Sequence, residues 1–149
     1  MSHPAPVPGI TMTTRARAYL LITVVGHALI GTSALVLADR FTGPAYSVAR
    51  AIMPIPVWGL LFLAGAGFLL NAAISRSEDR ARVGMVVSVV LEAVLAAAFA
   101  MSFAEGGPTT PVGTIAFLVL MAKDLLMCGQ PLITPFERLA EEYDHPKGR

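Results

Sequence analysis

The chain has little charge and almost no cysteine. Only 14% of its 149 residues are charged, and Cys128 is its single cysteine. One cysteine excludes a disulfide within the chain and a zinc or iron–sulfur centre built from several thiolates. Soluble domains carry roughly a quarter charged residues. The deficit, together with 55% hydrophobic residues and a mean hydropathy of +0.67, points to a lipid bilayer as the main solvent.

Motifs for catalysis and for nucleic-acid binding are also missing. The net charge is only +1, whereas duplex binding needs a concentrated basic face. We find no Ser/His/Asp or Cys/His arrangement, no paired-carboxylate site and no glycine-rich loop before a lysine. Gly65-Ala66-Gly67 lies in an apolar run, without the strand, turn and helix of a dinucleotide site. The sequence therefore predicts neither an enzyme nor a nucleic-acid-binding protein, and it predicts no cofactor.

What the chain does contain is long apolar runs. A membrane-spanning helix needs about 20 mainly apolar residues, and four runs of that length occur, at about 17–38, 51–74, 82–104 and 111–133. The connections between them are too short to hold a soluble domain. The sequence predicts one all-α domain over residues 15–135, an integral membrane four-helix bundle.

The basic residues outside these runs predict the orientation of the bundle. Cytoplasmic flanks of membrane proteins retain Lys and Arg. Eight basic residues lie on one side of the membrane: two at the start of the first run, three between the second and third runs, and three after the fourth run. Only Arg40 and Arg50 lie on the opposite side. This bias predicts that both termini are cytoplasmic and that the protein is a multi-pass protein of the cytoplasmic membrane.

The two ends of the chain differ from the apolar runs. Residues 1–14, with Pro4, Pro6 and Pro8, are predicted to form a disordered leader. Residues 136–149 are predicted to form a short helix along the inner membrane surface, followed by a polar tail. The first apolar run has the alternative of being a signal peptide, but it is longer than the usual 7–15 residues.

Four ionisable residues interrupt the apolar runs: His27, Glu92, Lys123 and Asp124. Each costs about 2.5–3.5 kcal/mol at the centre of a membrane helix, so each needs a partner or a role. All four lie near the middle of their runs, and at about 1.5 Å per residue they should share one depth. Because the third and fourth runs form a hairpin, we expect Glu92 to pair with Lys123.

Asp124 points about 100° away from Lys123 around its helix, so its carboxylate needs a different means of compensation. Protonation, a bond to His27 and contact with a neighbouring copy of the protein are the three alternatives. This polar layer has three interpretations: a network that fixes helix order, the lining of a water-filled path, or a site of proton-coupled transport. With no second histidine in the runs, the sequence predicts neither haem nor another metal.

Small and aromatic residues predict packing faces and membrane interfaces. Small residues allow helices to approach closely in lipid. One predicted face comprises Ala64, Gly67 and Asn71, and the other comprises Ala93, Ala96, Ala97 and Ala100. Trp58, Tyr19 and Tyr143 are predicted to lie at membrane interfaces, where amphipathic aromatic rings are common.

Part of the sequence resembles a known group of proteins. The segments Pro44-Ala45-Tyr46, Met53-Pro54 and Pro56-Val57-Trp58-Gly59-Leu60-Leu61-Phe62 are similar to small four-span membrane proteins of actinobacterial phages. Arg outnumbers Lys nine to two, as high-GC coding sequences favour. Some proteins of this kind are called holins, so the resemblance implies a phage origin and supplies no catalytic residues.

These observations lead to three hypotheses for the function. The first is a self-associating, holin-like protein that permeabilises the host cytoplasmic membrane. The second is a non-lytic accessory or structural protein that binds a larger membrane partner. The third is a small proton-coupled transporter that uses Glu92. All three have the lipid bilayer as surroundings, and the first requires a homo-oligomer.

Overall fold

The computed structural model describes residues 12–105 and 112–129. These residues form five α-helices without a β-strand: α1 Thr14–Val36, α2 Ser47–Ile52, α3 Ile55–Ser75, α4 Glu78–Ala104 and α5 Val112–Gly129. Short 3₁₀ turns at Ala38–Arg40 and Pro44–Tyr46 lie between α1 and α2. The prediction of an all-helical chain is confirmed, and α1, α3 and α4 are each long and apolar enough to cross a membrane.

Two helices begin earlier than the apolar runs because capping residues precede them. The Thr13 hydroxyl accepts a hydrogen bond from the Ala16 N–H at 3.1 Å, and Met12 is buried against the core. The prediction of a disordered leader is therefore wrong for residues 12–14, while residues 1–11 lie outside the described part. The Ser77 side chain caps α4 in the same way, and Glu78 and Asp79 favour the positive end of the helix dipole.

The second apolar run is broken where a single helix was expected. Met53 is extended, at φ −160° and ψ 158°, because the ring of Pro54 disfavours a helical residue before it. The run is therefore divided into the short α2 and the long α3. The Trp58 Nε1–H donates to the Ala49 carbonyl of α2 at 3.0 Å. Trp58 is only 3% exposed, so its ring packs inside the protein, where its N–H needs a partner. Its predicted depth at the membrane interface stays a prediction.

The long helices pack mainly on their neighbours in sequence. α1 lies along α3, α3 packs on α4, and α5 lies along α4, whereas the backbone of α1 hardly approaches α4 or α5. Apolar side chains fill two core clusters, one around Leu20, Leu69 and Met85 and the other around Trp58 and Phe62. The side of the structure between α1 and the α4–α5 pair is closed by side chains alone.

α1 and α3 approach each other closely at a pair of glycines. A Cβ built on Gly31 would lie 2.8 Å from the Gly59 carbonyl oxygen, and one built on Gly59 would lie 2.8 Å from the Gly31 oxygen. Any larger residue at either position would therefore push one backbone away from the other. The sequence did not predict this contact.

The predicted small-residue faces are placed differently. Ala64, Gly67 and Asn71 are exposed along the outside of α3, and nothing lies within 4 Å of a Cβ built on Gly67. Of the four residues predicted to form a packing face on α4, only Ala96 is buried. Ala93 is half-buried, and Ala97 and Ala100 are exposed. Most of these residues therefore do not pack against the described part of the chain.

Candidate functional site

The four ionisable residues of the apolar runs meet inside the protein. His27 of α1 is 2% exposed, and Glu92 of α4 and Asp124 of α5 are fully buried. Large apolar side chains point outward instead, among them Ile22, which is 69% exposed. The distribution is the reverse of a soluble protein, in which charged groups face water.

His27 and Glu92 join α1 to α4. The distance between His27 Nε2 and Glu92 Oε1 is 3.3 Å, and both side chains are buried. Gly65 of α3 lies beside the imidazole, and a Cβ there would be in ordinary van der Waals contact with Nδ1, at 3.5 Å. The ring of Phe62 meets the imidazole edge to face, with centroids 5.1 Å apart. The pair is thus enclosed by helix packing and shielded from the outside.

Asp124 joins α5 to α1. The Tyr19 hydroxyl donates to Asp124 Oδ1 at 2.5 Å, and Lys123 Nζ lies 3.1 Å from the same oxygen. The ammonium group also donates to the Thr23 hydroxyl at 3.1 Å, and that hydroxyl donates to the Tyr19 carbonyl at 3.2 Å. Lys123 Nζ lies 4.9 Å from the centroid of the Tyr19 ring, within range of a cation–π contact. We call His27, Glu92, Tyr19, Thr23, Lys123 and Asp124 the polar network.

The structure pairs the charged groups differently from the prediction. Lys123 contacts Asp124 and not Glu92, which contacts His27, so the predicted Glu92–Lys123 pair is wrong. A long lysine side chain can bend back towards the residue that follows it, although the two Cα–Cβ bonds point about 100° apart. Tyr19 was predicted at a membrane interface and instead binds Asp124; Tyr143 lies outside the described residues.

Sequence reasoning missed two members of the network. Tyr19, Thr23 and His27 follow one another at four-residue intervals, a spacing that places them on one face of α1. Spacing of this kind was the available signal, but Tyr and Thr carry no charge and are tolerated in membrane helices. The structure shows that this face of α1 turns towards α4 and α5.

Three buried atoms of the network have no hydrogen-bond partner among the described residues: His27 Nδ1, Glu92 Oε2 and Asp124 Oδ2. A buried polar atom without a partner costs about 1–3 kcal/mol, and more if it carries charge. The network therefore retains the capacity to bind a cation, a proton or a water molecule.

No protein-family model, curated protein or solved structure matches the chain.

The region beyond His27 along α1 is apolar. A cavity of about 320 Å³ lies there, between the C-terminal half of α1 and the N-terminal part of α3. Its walls include Phe62, Phe99 and Phe117, and the last two rings are stacked with centroids 5.6 Å apart. The polar network thus occupies one part of the interior and ends against an aromatic layer formed by Phe62, Phe99 and Phe117.

Proposed function

We propose that the chain is an integral protein of the cytoplasmic membrane that crosses it four times, with both termini in the cytoplasm. Three helices of sufficient length and hydropathy support this proposal. α5 has 18 residues and is about 27 Å long, close to the roughly 30 Å thickness of the hydrocarbon core. The apolar exterior suits acyl chains, and the eight-to-two distribution of basic residues favours cytoplasmic termini.

We further propose that copies of the chain associate and permeabilise the membrane, as holins do. The observation that carries this proposal is the interface between α1 and the α4–α5 pair. There the backbones hardly approach each other, and polar side chains fill the space. Separation of α1 from α5 would expose a polar strip on each side, and such strips suit the lining of a water-filled path in an assembly.

In the closed chain the strips, apart from the partly exposed Lys123, are hidden from lipid and end at the aromatic layer. A protein of this kind can accumulate in the membrane without leakage until copies associate. The exposed small residues Ala64, Gly67 and Asn71 of α3 offer one face for close contact between copies, since small residues and an amide favour helix association in lipid.

Inducible expression in a bacterium with a membrane-potential dye tests this function. We expect depolarisation and growth arrest once the protein has accumulated. A variant with an apolar strip on α1, Tyr19→Phe with Thr23→Val and His27→Leu, should enter the membrane and leave the potential intact, because an apolar strip cannot line a wet path.

The matched control carries three changes on the lipid-facing side of the same helix: Ile22→Leu, Val25→Leu and Leu29→Ile. These residues are 58–69% exposed, so this variant should depolarise like the original protein. Immunoblots of the membrane fraction would show whether the variants are present in equal amounts. Absence of depolarisation at high expression, or equal depolarisation by the apolar-strip variant, would refute permeabilisation and favour an accessory role.

A further inference from the structure

The polar network brings together one imidazole and two carboxylates from three helices. Each of His27, Glu92 and Asp124 offers one donor atom, and these three atoms all lie within 4.8 Å of one another. All three residues are at least 98% buried. We propose that this cluster is a binding site for a divalent first-row transition-metal ion of the Zn²⁺ class.

The partners of the two carboxylates leave room for such an ion. Asp124 uses Oδ1 for both Tyr19 and Lys123, and Glu92 uses Oε1 for His27. Asp124 Oδ2 and Glu92 Oε2 are buried without a partner among the described residues. Two buried carboxylate oxygens without partners point to a cationic ligand, because one cation can bind several acceptor atoms at once.

The donor set selects the type of metal. Imidazole together with carboxylate suits Zn²⁺ and its neighbours, whereas Mg²⁺ and Ca²⁺ prefer oxygen donors alone. Bonds of about 2.1 Å in a tetrahedral site separate the donors by about 3.4 Å. Separations of up to 4.8 Å would therefore have to shorten by at most about 1.4 Å on metal binding. Three protein ligands leave a fourth position open to water.

Lys123 is the competitor for this site. Its ammonium group lies 3.1 Å from Asp124 Oδ1, and its side chain is 32% exposed, unlike those of the three donors. A metal ion can therefore displace it from Asp124, while the ammonium group keeps the Thr23 hydroxyl as a partner. Two carboxylates balance one divalent ion, so removal of the lysine charge leaves a neutral site and should strengthen binding.

Metal titration of the full chain in detergent tests the site. The probe is Co²⁺, whose visible absorption reports the ligands around it. The protein carries no affinity tag and has His3→Ala and His145→Ala, which remove the two other histidines. We expect one Co²⁺ per chain, displaced by Zn²⁺. Glu92→Gln and Asp124→Asn should each weaken binding about tenfold or more.

The Lys123→Met variant distinguishes a specific metal site from nonspecific binding of Co²⁺ to polar groups. We expect it to bind Co²⁺ at least about tenfold more tightly, because it removes the competing cation. The absence of a one-to-one absorption change in the folded His3→Ala/His145→Ala protein would overturn the proposal, even if other variants fail to fold. Binding unaffected by both carboxylate substitutions, or no tighter with Lys123→Met, would overturn it as well.

The metal proposal does not depend on permeabilisation. The titration follows absorption and uses no leakage measurement, so failure of one proposal is distinguishable from failure of the other.

Discussion

Replacement of Lys123 by methionine is expected to lower the free energy of unfolding by about 3 kcal/mol in the absence of metal. The Asp124 carboxylate is fully buried and would lose the ammonium group that lies 3.1 Å away. It would keep only the Tyr19 hydroxyl as a partner. Removing one member of a buried ion pair is strongly destabilising because the remaining charge is uncompensated. Unfolding by SDS in mixed micelles, in the presence of a chelator, measures this change.

Removal of both charges provides the test of this explanation. The double variant Lys123→Met/Asp124→Asn should return to within about 1 kcal/mol of the original protein, because replacing both charged partners with neutral groups is often nearly neutral. The matched control is Arg82→Met, which breaks the exposed bridge from Arg82 to Glu78. We expect that control to change stability by less than about 1 kcal/mol. An equal effect of Lys123→Met and Arg82→Met would contradict a buried pair.

Gly59→Ala is expected to destabilise the protein by about 2 kcal/mol, the cost of overpacking a tight contact. Its Cβ would lie 2.8 Å from the Gly31 carbonyl oxygen, and a backbone atom cannot turn aside as the end of a side chain can. Gly31→Ala should have a similar effect, since the contact is reciprocal. The same SDS unfolding measurement applies to both.

Each helix offers a glycine control for this prediction. Nothing lies within 4 Å of a Cβ built on Gly67 of α3 or on Gly26 of α1. Gly67→Ala and Gly26→Ala should therefore leave stability unchanged or raise it by up to about 1 kcal/mol through helix propensity. If Gly59→Ala and Gly67→Ala behaved alike, α1 and α3 would not cross at Gly31 and Gly59.

Properties that depend on local sequence could be predicted here. Hydropathy is summed over about 20 neighbouring residues, so the long helices were evident, and helix rise alone placed His27, Glu92, Lys123 and Asp124 at similar depth. The break at Met53 and Pro54 was also within reach of local rules, because the residue before proline avoids the helical conformation. Its omission made the second span too long.

Properties that depend on helix rotation could not be predicted. Which groups pair is decided by how each helix turns about its own axis, and this depends on packing with distant segments. Tyr19 and Asp124 lie 105 positions apart, and His27 and Glu92 lie 65 apart. For the same reason, small-residue spacing along α3 predicted a packing face at Ala64, Gly67 and Asn71, whereas the close contact with α1 occurs at Gly59, three to four turns from Asn71.

The account as a whole requires that α1 and α5 meet through the polar network inside the membrane. A double-mutant cycle between Tyr19→Phe and Asp124→Asn, measured by unfolding of the protein in lipid bicelles, tests this contact most directly. A hydrogen bond to a charged group predicts a coupling energy of about 1.5 kcal/mol between the two positions. Additivity of the two single changes to within about 0.3 kcal/mol would show that the side chains do not interact and would contradict the account.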